Sequence, residues 1–330
     1  MLLANPGAAP RYPVLAGPHV SAGADAVWLD LLSPTEEERA QAERATGLRV
    51  PSEGELAEIE SSSRVYARGG ALYLSTPMSY RSEDGVSQVA PLGFVVSPTR
   101  LITVRFAAAP AFDAFAERFA EGEARDAAGG VCSASAFTGL LEALVDRLAD
   151  VLEHVGGDLD AISRRVFRPE MPPRRSDRVD AALRATLRQV GRLGDALSNI
   201  RDTLLGVSRI VNFAPEAARD WLPEALRPRF TTLRQDLASL TEYDAQLTNK
   251  VQLLLDATLG FISIEQNNSI KVLTVVSVVG VPPTLVASIY GMNFEHIPEL
   301  HWPHGYAYGL TVIALSALLP LAWFRWKGWV

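Results

Sequence analysis

The apolar and polar positions of the chain change period twice, and each change marks a boundary. Up to residue 24 the sequence is rich in Pro, Gly and Ala with little amphipathic pattern, so residues 1–24 are expected to be a flexible leader. Short apolar runs then alternate with turn residues. Residues 27–32 read as a buried strand, and the segment after them as a short helix capped by Ser33, with Pro34 in its first turn and Gly47 as its stop. Residues 51–60 read as a second short helix, and strand pairs flank Gly69-Gly70 and Ser97-Pro98. Strands mixed with short helices predict an α/β domain over residues 25–133.

From Ser135 the period becomes helical. Residues 134–228 predict an antiparallel pair of long helices, the second from Asp177 to about Val211, followed by a Pro-bounded insert. A third helix starts near Arg229 and meets no proline until Pro282. At 1.5 Å per residue its sixty or so residues would span roughly 90 Å, so 229–290 reads as a stalk continuing into a membrane helix. Residues 272–290 and 307–324 carry no charge and approach the length needed to cross hydrocarbon. Lys271 precedes the first run, Arg325 and Lys327 follow the second, and the loop between them, 291–306, holds Glu295 and Glu299 but no Lys or Arg. This asymmetry predicts a multi-pass membrane protein with both termini cytoplasmic, an external loop and a basic tail over 325–330. Trp323, Trp326 and Trp329 at one end, with Trp302 and Tyr306 at the other, suit interfacial aromatic belts.

Steps of four and three along the long helix pick out one face: Asp256, Gly260, Ser263, Asn267, Ile270, Thr274, Ser277, Val281, Thr284, Ser288 and Gly291. Nine of these eleven are small or polar, whereas Val272, Val275, Val276, Val278 and Val279 between them are apolar. Polar side chains at membrane depth need a partner or water, and a single hairpin has no interior. The face therefore predicts several copies of the chain around a wet axis. Small residues also let helices pack closely, but Asn267 and Asp256 extend the face toward the cytosol, where a ring of carboxylates gathers cations. Ile270, Leu273 and Val281 are candidates for apolar rings that close such a path by dewetting.

Composition narrows the class. A net charge of −7 argues against a nucleic-acid partner, which needs clustered Lys and Arg. A lone cysteine, Cys132, excludes an internal disulfide and a multi-cysteine zinc site. The chain has no Gly-rich phosphate loop and no HExxH, so an enzyme is not expected.

Residues 290–300, YGMNFEHIPEL, resemble the signature of the CorA magnesium transporter family, Gly-Met-Asn at the external end of the first membrane helix followed by Met-Pro-Glu-Leu. Ile297 stands where the family usually has Met, and the tail has only Arg325 and Lys327 where relatives often carry a run of Lys. The resemblance extends back through LLLDATLG from Leu253, and more loosely through DLLSPTEEERAQAERATG and EIESSSRVY. It implies a CorA-like homopentameric channel in a bacterial inner membrane: an α/β cytoplasmic domain, a long-helix stalk and two transmembrane helices, the first lining the pore. The implied cargo is a divalent cation moving passively under the membrane potential, Mg²⁺ first, with Co²⁺ or Ni²⁺ as further passengers. No cofactor is implied; Mg²⁺ enters as substrate and regulator.

Gly291, Met292 and Asn293, with Glu295 and Glu299, form the expected selective mouth. Gly291 would end the helix in a conformation costly to other residues, freeing Asn293 to turn its amide oxygen toward the ion's water shell. Block by cytoplasmic Mg²⁺ would need acids between subunits, for which Asp236, Asp244, Glu83 and Asp84 are candidates. His296, His301 and His304 suit softer ions, which keeps a zinc transporter of the same superfamily as an alternative. A membrane-tethered sensor or scaffold without transport is another.

Overall fold

The computed structural model describes residues 2–5, 12–14, 26–82, 84–120, 132–167, 176–293 and 298–329. The chain falls into two compact units, residues 1–169 with 186–255, and residues 170–185 with 256–330.

The first unit is built on a seven-stranded sheet. Its strands are β1 (Leu2–Asn5), β2 (Tyr12–Val14), β3 (Trp28–Leu32), β4 (Val65–Arg68), β5 (Ala71–Arg81), β6 (Ser87–Val96) and β7 (Leu101–Arg105), in the order β2-β1-β3-β7-β6-β5-β4. Only β3 and β7 pair in parallel, with Trp28 opposite Leu101; every other pairing is antiparallel. The expected leader instead contributes β1 and β2, and β1 pairs with β3 from Leu2 opposite Leu31 to Asn5 opposite Trp28. The rest of 1–24 lies outside the described residues.

Alternation along β3 sends Leu29 and Leu31 to one face, where they pack with Ala42, Val50, Leu56, Tyr73, Val95, Ile102 and Val104. Helices α1 (Glu36–Thr46) and α2 (Glu53–Leu56) supply Ala42 and Leu56 to that cluster. Thr35, not Ser33, caps α1. Its hydroxyl accepts from the Glu38 N–H while the Glu38 carboxylate takes the Thr35 N–H, a reciprocal capping box that Ser33, at φ 44°, does not form. Gly47 ends the helix at φ 71° as expected. The second expected helix is shorter, and a separate turn of helix, α3 (Ser61–Arg64), leads into β4.

The opposite face is aromatic. Trp28 meets Phe115 and Phe119 of α4 (Pro110–Ala120) at 5.5 and 5.6 Å between ring centres, and Phe94 meets Phe137 of α5 (Ser133–Phe167) at 5.5 Å. Beneath this layer Arg105 holds Asp30 with both side chains almost solvent-free, at 2.8 Å.

Two longer helices complete the unit, α6 (Ser176–Ala217) and the first part of α7 (Arg227–Tyr290). Ion pairs and one hydrogen bond fix their directions. Arg229 and Lys250 of α7 meet Glu142 and Asp160 of α5 in the same chain order, so α5 and α7 run parallel. Arg165 of α5 meets Gln189 of α6 and Arg201 of α6 meets Asp244 of α7, so α6 runs against both. Helix α6 runs past Val211 and through Pro215, so the expected insert is helical to Ala217.

In the second unit α7 continues to Tyr290, and α8 (Gly305–Trp326) follows a single 3₁₀ turn, Pro298–His301. Both helices are long and apolar enough to span a membrane, and almost none of either apolar window is buried within the chain. The core helix of a soluble domain would be covered; these side chains face outward.

Candidate functional site

The small-and-polar stripe lies open on α7. Asp256, Gly260, Ser263, Asn267, Ile270, Ser277, Val281, Thr284 and Ser288 are exposed and Thr274 is half-buried. The apolar members Ile270 and Val281, and the third gate candidate Leu273 beside the stripe, are each more than half exposed.

Three of the stripe's five hydroxyls are oriented by the helix backbone. Thr274, Thr284 and Ser288 donate to the carbonyl oxygens of Ile270, Gly280 and Thr284 at 2.8, 2.9 and 2.8 Å. Each proton is held by the helix's own backbone, so what each hydroxyl presents outward is oxygen lone pairs. The stripe is thus a row of acceptors, which suits the outward hydrogens of a hydrated cation.

As the reading of 229–290 as one helix expected, α7 runs through both Pro282 and Pro283. Neither residue has an N–H, so the carbonyls of Val278 and Val279 lose their donors one turn on. In hydrocarbon such oxygens need another partner. They add two backbone acceptors at the depth of Ser277 and Val281, a signal that was present in the double proline.

At the end of α7 the Gly291 N–H donates to Ala287 at 3.0 Å and the Met292 N–H to Ile289 at 3.3 Å. Gly291 does not adopt the left-handed conformation that was expected. The helix closes by a tightened last turn that needs no such residue, and what glycine supplies is room: a Cβ there would stand 3.2 Å from the Ala287 carbonyl oxygen. Met292 and Asn293 follow, both exposed, and the Asn293 amide makes no hydrogen bond among the described residues. Glu295 and His296 lie outside the described residues. Glu299 and His301 belong to the 3₁₀ turn, and His304 directly precedes α8 without capping it by its side chain. Among the described residues no three His, Cys, Asp or Glu side chains form a group able to hold a metal.

The four candidate regulatory acids are scattered. Asp84 is exposed in the hairpin turn between β5 and β6, Glu83 beside it lies outside the described residues, and Asp236 is exposed on α7. Asp244 is fully buried against Arg201, whose Nε donates to Oδ2 at 2.7 Å while its second arm reaches Thr248. Burial pushes the Asp244 carboxyl above its ordinary range, and Arg201 opposes that shift. Asp244 Oδ1 has no hydrogen-bond partner among the described residues. Sequence reading missed Arg201, because nothing local links it to a carboxylate on another helix.

The model of the family described as CorA-like Mg2+ transporter protein matches residues 23–326. The magnesium transport protein CorA of Haemophilus influenzae is 33% identical over 306 residues, covering 92% of each chain. The complete CorA magnesium transporter of Methanocaldococcus jannaschii superposes with a TM-score of 0.75 at 18% identity, covering 100% of this chain and 99% of that one. The full-length CmaX protein superposes with a TM-score of 0.65 at 18% identity, covering 98% and 95%. At these identities the two superpositions speak for the fold alone.

Proposed function

The chain belongs to the CorA-like Mg2+ transporter family, and from that premise we propose that it passes hydrated Mg²⁺ along the α7 stripe of a homopentamer in a bacterial inner membrane, both chain ends cytoplasmic. It is a membrane transporter of divalent cations with Mg²⁺ as the primary cargo. The passive mechanism, and Co²⁺ or Ni²⁺ as further passengers, belong to the proposal.

One observation carries the reading: an uncovered helix with oriented hydroxyl acceptors ends at the exposed amide of Asn293. Mg²⁺ dehydrates reluctantly, so a path that strips its waters is slow. Asn293 oxygens repeated around an axis accept hydrogen bonds from the ion's water shell and leave the shell in place. Below them Ser288, Thr284 and the carbonyls of Val278 and Val279 continue the same chemistry. Glu295 and Glu299 raise the local cation concentration outside, and Asp256 does so at the other end. Ile270, Leu273 and Val281 interrupt the wet path and gate it by dewetting.

The stripe also supports winding around an axis. A seven-residue repeat drifts about 20° per heptad on a straight helix, hence about 100° over the five heptads from Asp256 to Gly291. Left-handed winding of the copies keeps the face on the axis throughout.

Ion-resolved flux into proteoliposomes at imposed voltage tests the proposal. Mg²⁺ uptake is expected, and a sealed, oriented preparation that passes no divalent ion would sink it. Preferential Zn²⁺ uptake, with Mg²⁺ a poor competitor, would transfer the assignment to zinc.

A further inference from the structure

Lys271 opens the charge-free run of α7, and Arg325 and Lys327 close that of α8. The fold assembles these ends. After α8, Gly328 takes φ 72°, its N–H donates to Arg325 at 3.1 Å and the Trp329 N–H donates to Phe324 at 3.0 Å. This is the Schellman pattern, and glycine is the residue that reaches that φ without strain. The turn folds Trp329 back onto Phe324, ring centres 5.4 Å apart, and Phe324 is buried beneath it. Lys271 Nζ then lies 5.9 Å from the centre of Trp329, and Lys327 Nζ lies 5.0 Å from that of Trp323.

The identity of those partners matters. Among the described residues none of the three cations is paired with a carboxylate. An indole face steadies an ammonium through its quadrupole and leaves the charge uncancelled, so the remaining N–H groups stay available. The result is two ammonium groups held on indoles at this end of the helix pair, with Arg325 on the same last turn of α8 and Trp326 83% exposed beside it in sequence.

We propose that this patch binds an anionic phospholipid, with the phosphate among Lys271, Arg325 and Lys327 and the glycerol and upper acyl chains against Trp326 and Trp329. Indoles settle at headgroup depth, and a leaflet with anionic lipid is complementary to uncancelled basic residues. Trp329 belongs to the tail yet steadies a lysine at the start of the α7 span, so one lipid engages both membrane helices. The site rests on membrane insertion and is independent of which ion crosses.

The test uses full-length protein in phosphatidylcholine vesicles with and without phosphatidylglycerol, Trp302→Phe removing the tryptophan at the opposite ends of the spans. Brominated phosphatidylglycerol is expected to quench the remaining tail tryptophans at a lower mole fraction than brominated phosphatidylcholine. That preference should fall about fivefold for each cation neutralised in Lys271→Gln, Arg325→Gln and Lys327→Gln. The single variants carry the test where the triple variant does not assemble. Equal quenching by the two lipids, or an undiminished preference in the variants, overturns the proposal. So does displacement of the lipid by soluble glycerol phosphate at matched phosphate concentration, which would make this a general phosphate site. Trp329→Ala is expected to lower the preference while all three charges remain.

Discussion

Arg201 donates to Asp244 at 2.7 Å, and the two residues differ sharply in exposure: the Arg201 side chain is 43% exposed and that of Asp244 not at all. The carboxylate therefore depends on a partner that water still reaches. Breaking a fully buried pair costs about 3–5 kcal/mol, and solvent around the arginine reduces this, so Arg201→Ala is expected to destabilise the first unit by about 2 kcal/mol. The folded-state pKa of Asp244 is already raised, so ionising it costs more in the fold than in the unfolded chain. That cost is felt as pH rises through the folded pKa and disappears as pH falls toward the ordinary carboxylate value. The deficit of the variant relative to wild type should shrink as pH falls from neutral toward the ordinary carboxylate range, where the orphaned acid takes up a proton. Thermal melts across that range check it, and a pH-independent deficit would show that the pair matters only by packing.

The same pairing bears on regulation. Asp244 already has a cation, whereas Asp84 and Asp236 are exposed and form no ion pair among the described residues. Asp84→Asn and Asp236→Asn are expected to weaken block by cytoplasmic Mg²⁺ several-fold, and Asp244→Asn to change it little beyond its effect on folding. Mg²⁺ titration from the cytoplasmic face reads all three, and selective relief by Asp244→Asn would reverse the assignment.

Much of this protein was legible because its signals are local. Gly47, the Gly69-Gly70 turn and the charge-free runs are each set within a few residues, and the structure places elements there. The N-cap of α1 was misplaced by two residues because Ser33 and Thr35 both carry hydroxyls, and only Thr35 stands three residues before a glutamate that reciprocates. What stayed unread depends on pairing across the chain. Leu2–Asn5 is a strand because β3 lies beside it, and Lys271 meets Trp329 because two helices and a glycine turn return the tail to it. Helix α4 is different: Phe112, Phe115, Ala116 and Phe119 already show helical spacing, and that signal was passed over.

Removing the Asn293 amide should slow Mg²⁺ without unfolding the chain, because the side chain is exposed and makes no hydrogen bond among the described residues. One hydrogen bond contributes about 1 kcal/mol, and in the proposed homopentamer the loss repeats in every copy. Asn293→Ala is therefore expected to lower flux at least tenfold, and Asn293→Asp to bind the ion more tightly and release it more slowly. Radiotracer-free Mg²⁺ uptake with a fluorescent indicator inside the vesicles gives both rates, and wild-type flux in Asn293→Ala would remove the amide from the mechanism.

Thr284 separates acceptor chemistry from shape. Its hydroxyl donates to Gly280, so Thr284→Val keeps the volume and removes an outward lone pair as well as a bond internal to the helix. Flux is expected to fall by about fivefold, about 1 kcal/mol, with assembly unchanged. Val281→Ser is expected to do the opposite, wetting an apolar ring and raising leak in the closed state. The two variants should move conductance in opposite directions; a common direction would mean that the stripe only packs.

The proposed passive route predicts the driving force. A doubly charged ion crossing 100 mV gains about 4.6 kcal/mol, twice the value for one charge, which at about 1.4 kcal/mol per power of ten supports roughly two-thousandfold accumulation. An inside-negative potassium diffusion potential should therefore accelerate Mg²⁺ uptake into proteoliposomes, and abolishing it should leave only flow down the concentration gradient. A pump that coupled each ion to a fixed chemical step would keep accumulating at zero potential. Uptake against a concentration gradient with the potential clamped at zero is the outcome that a passive wet path through α7 does not survive.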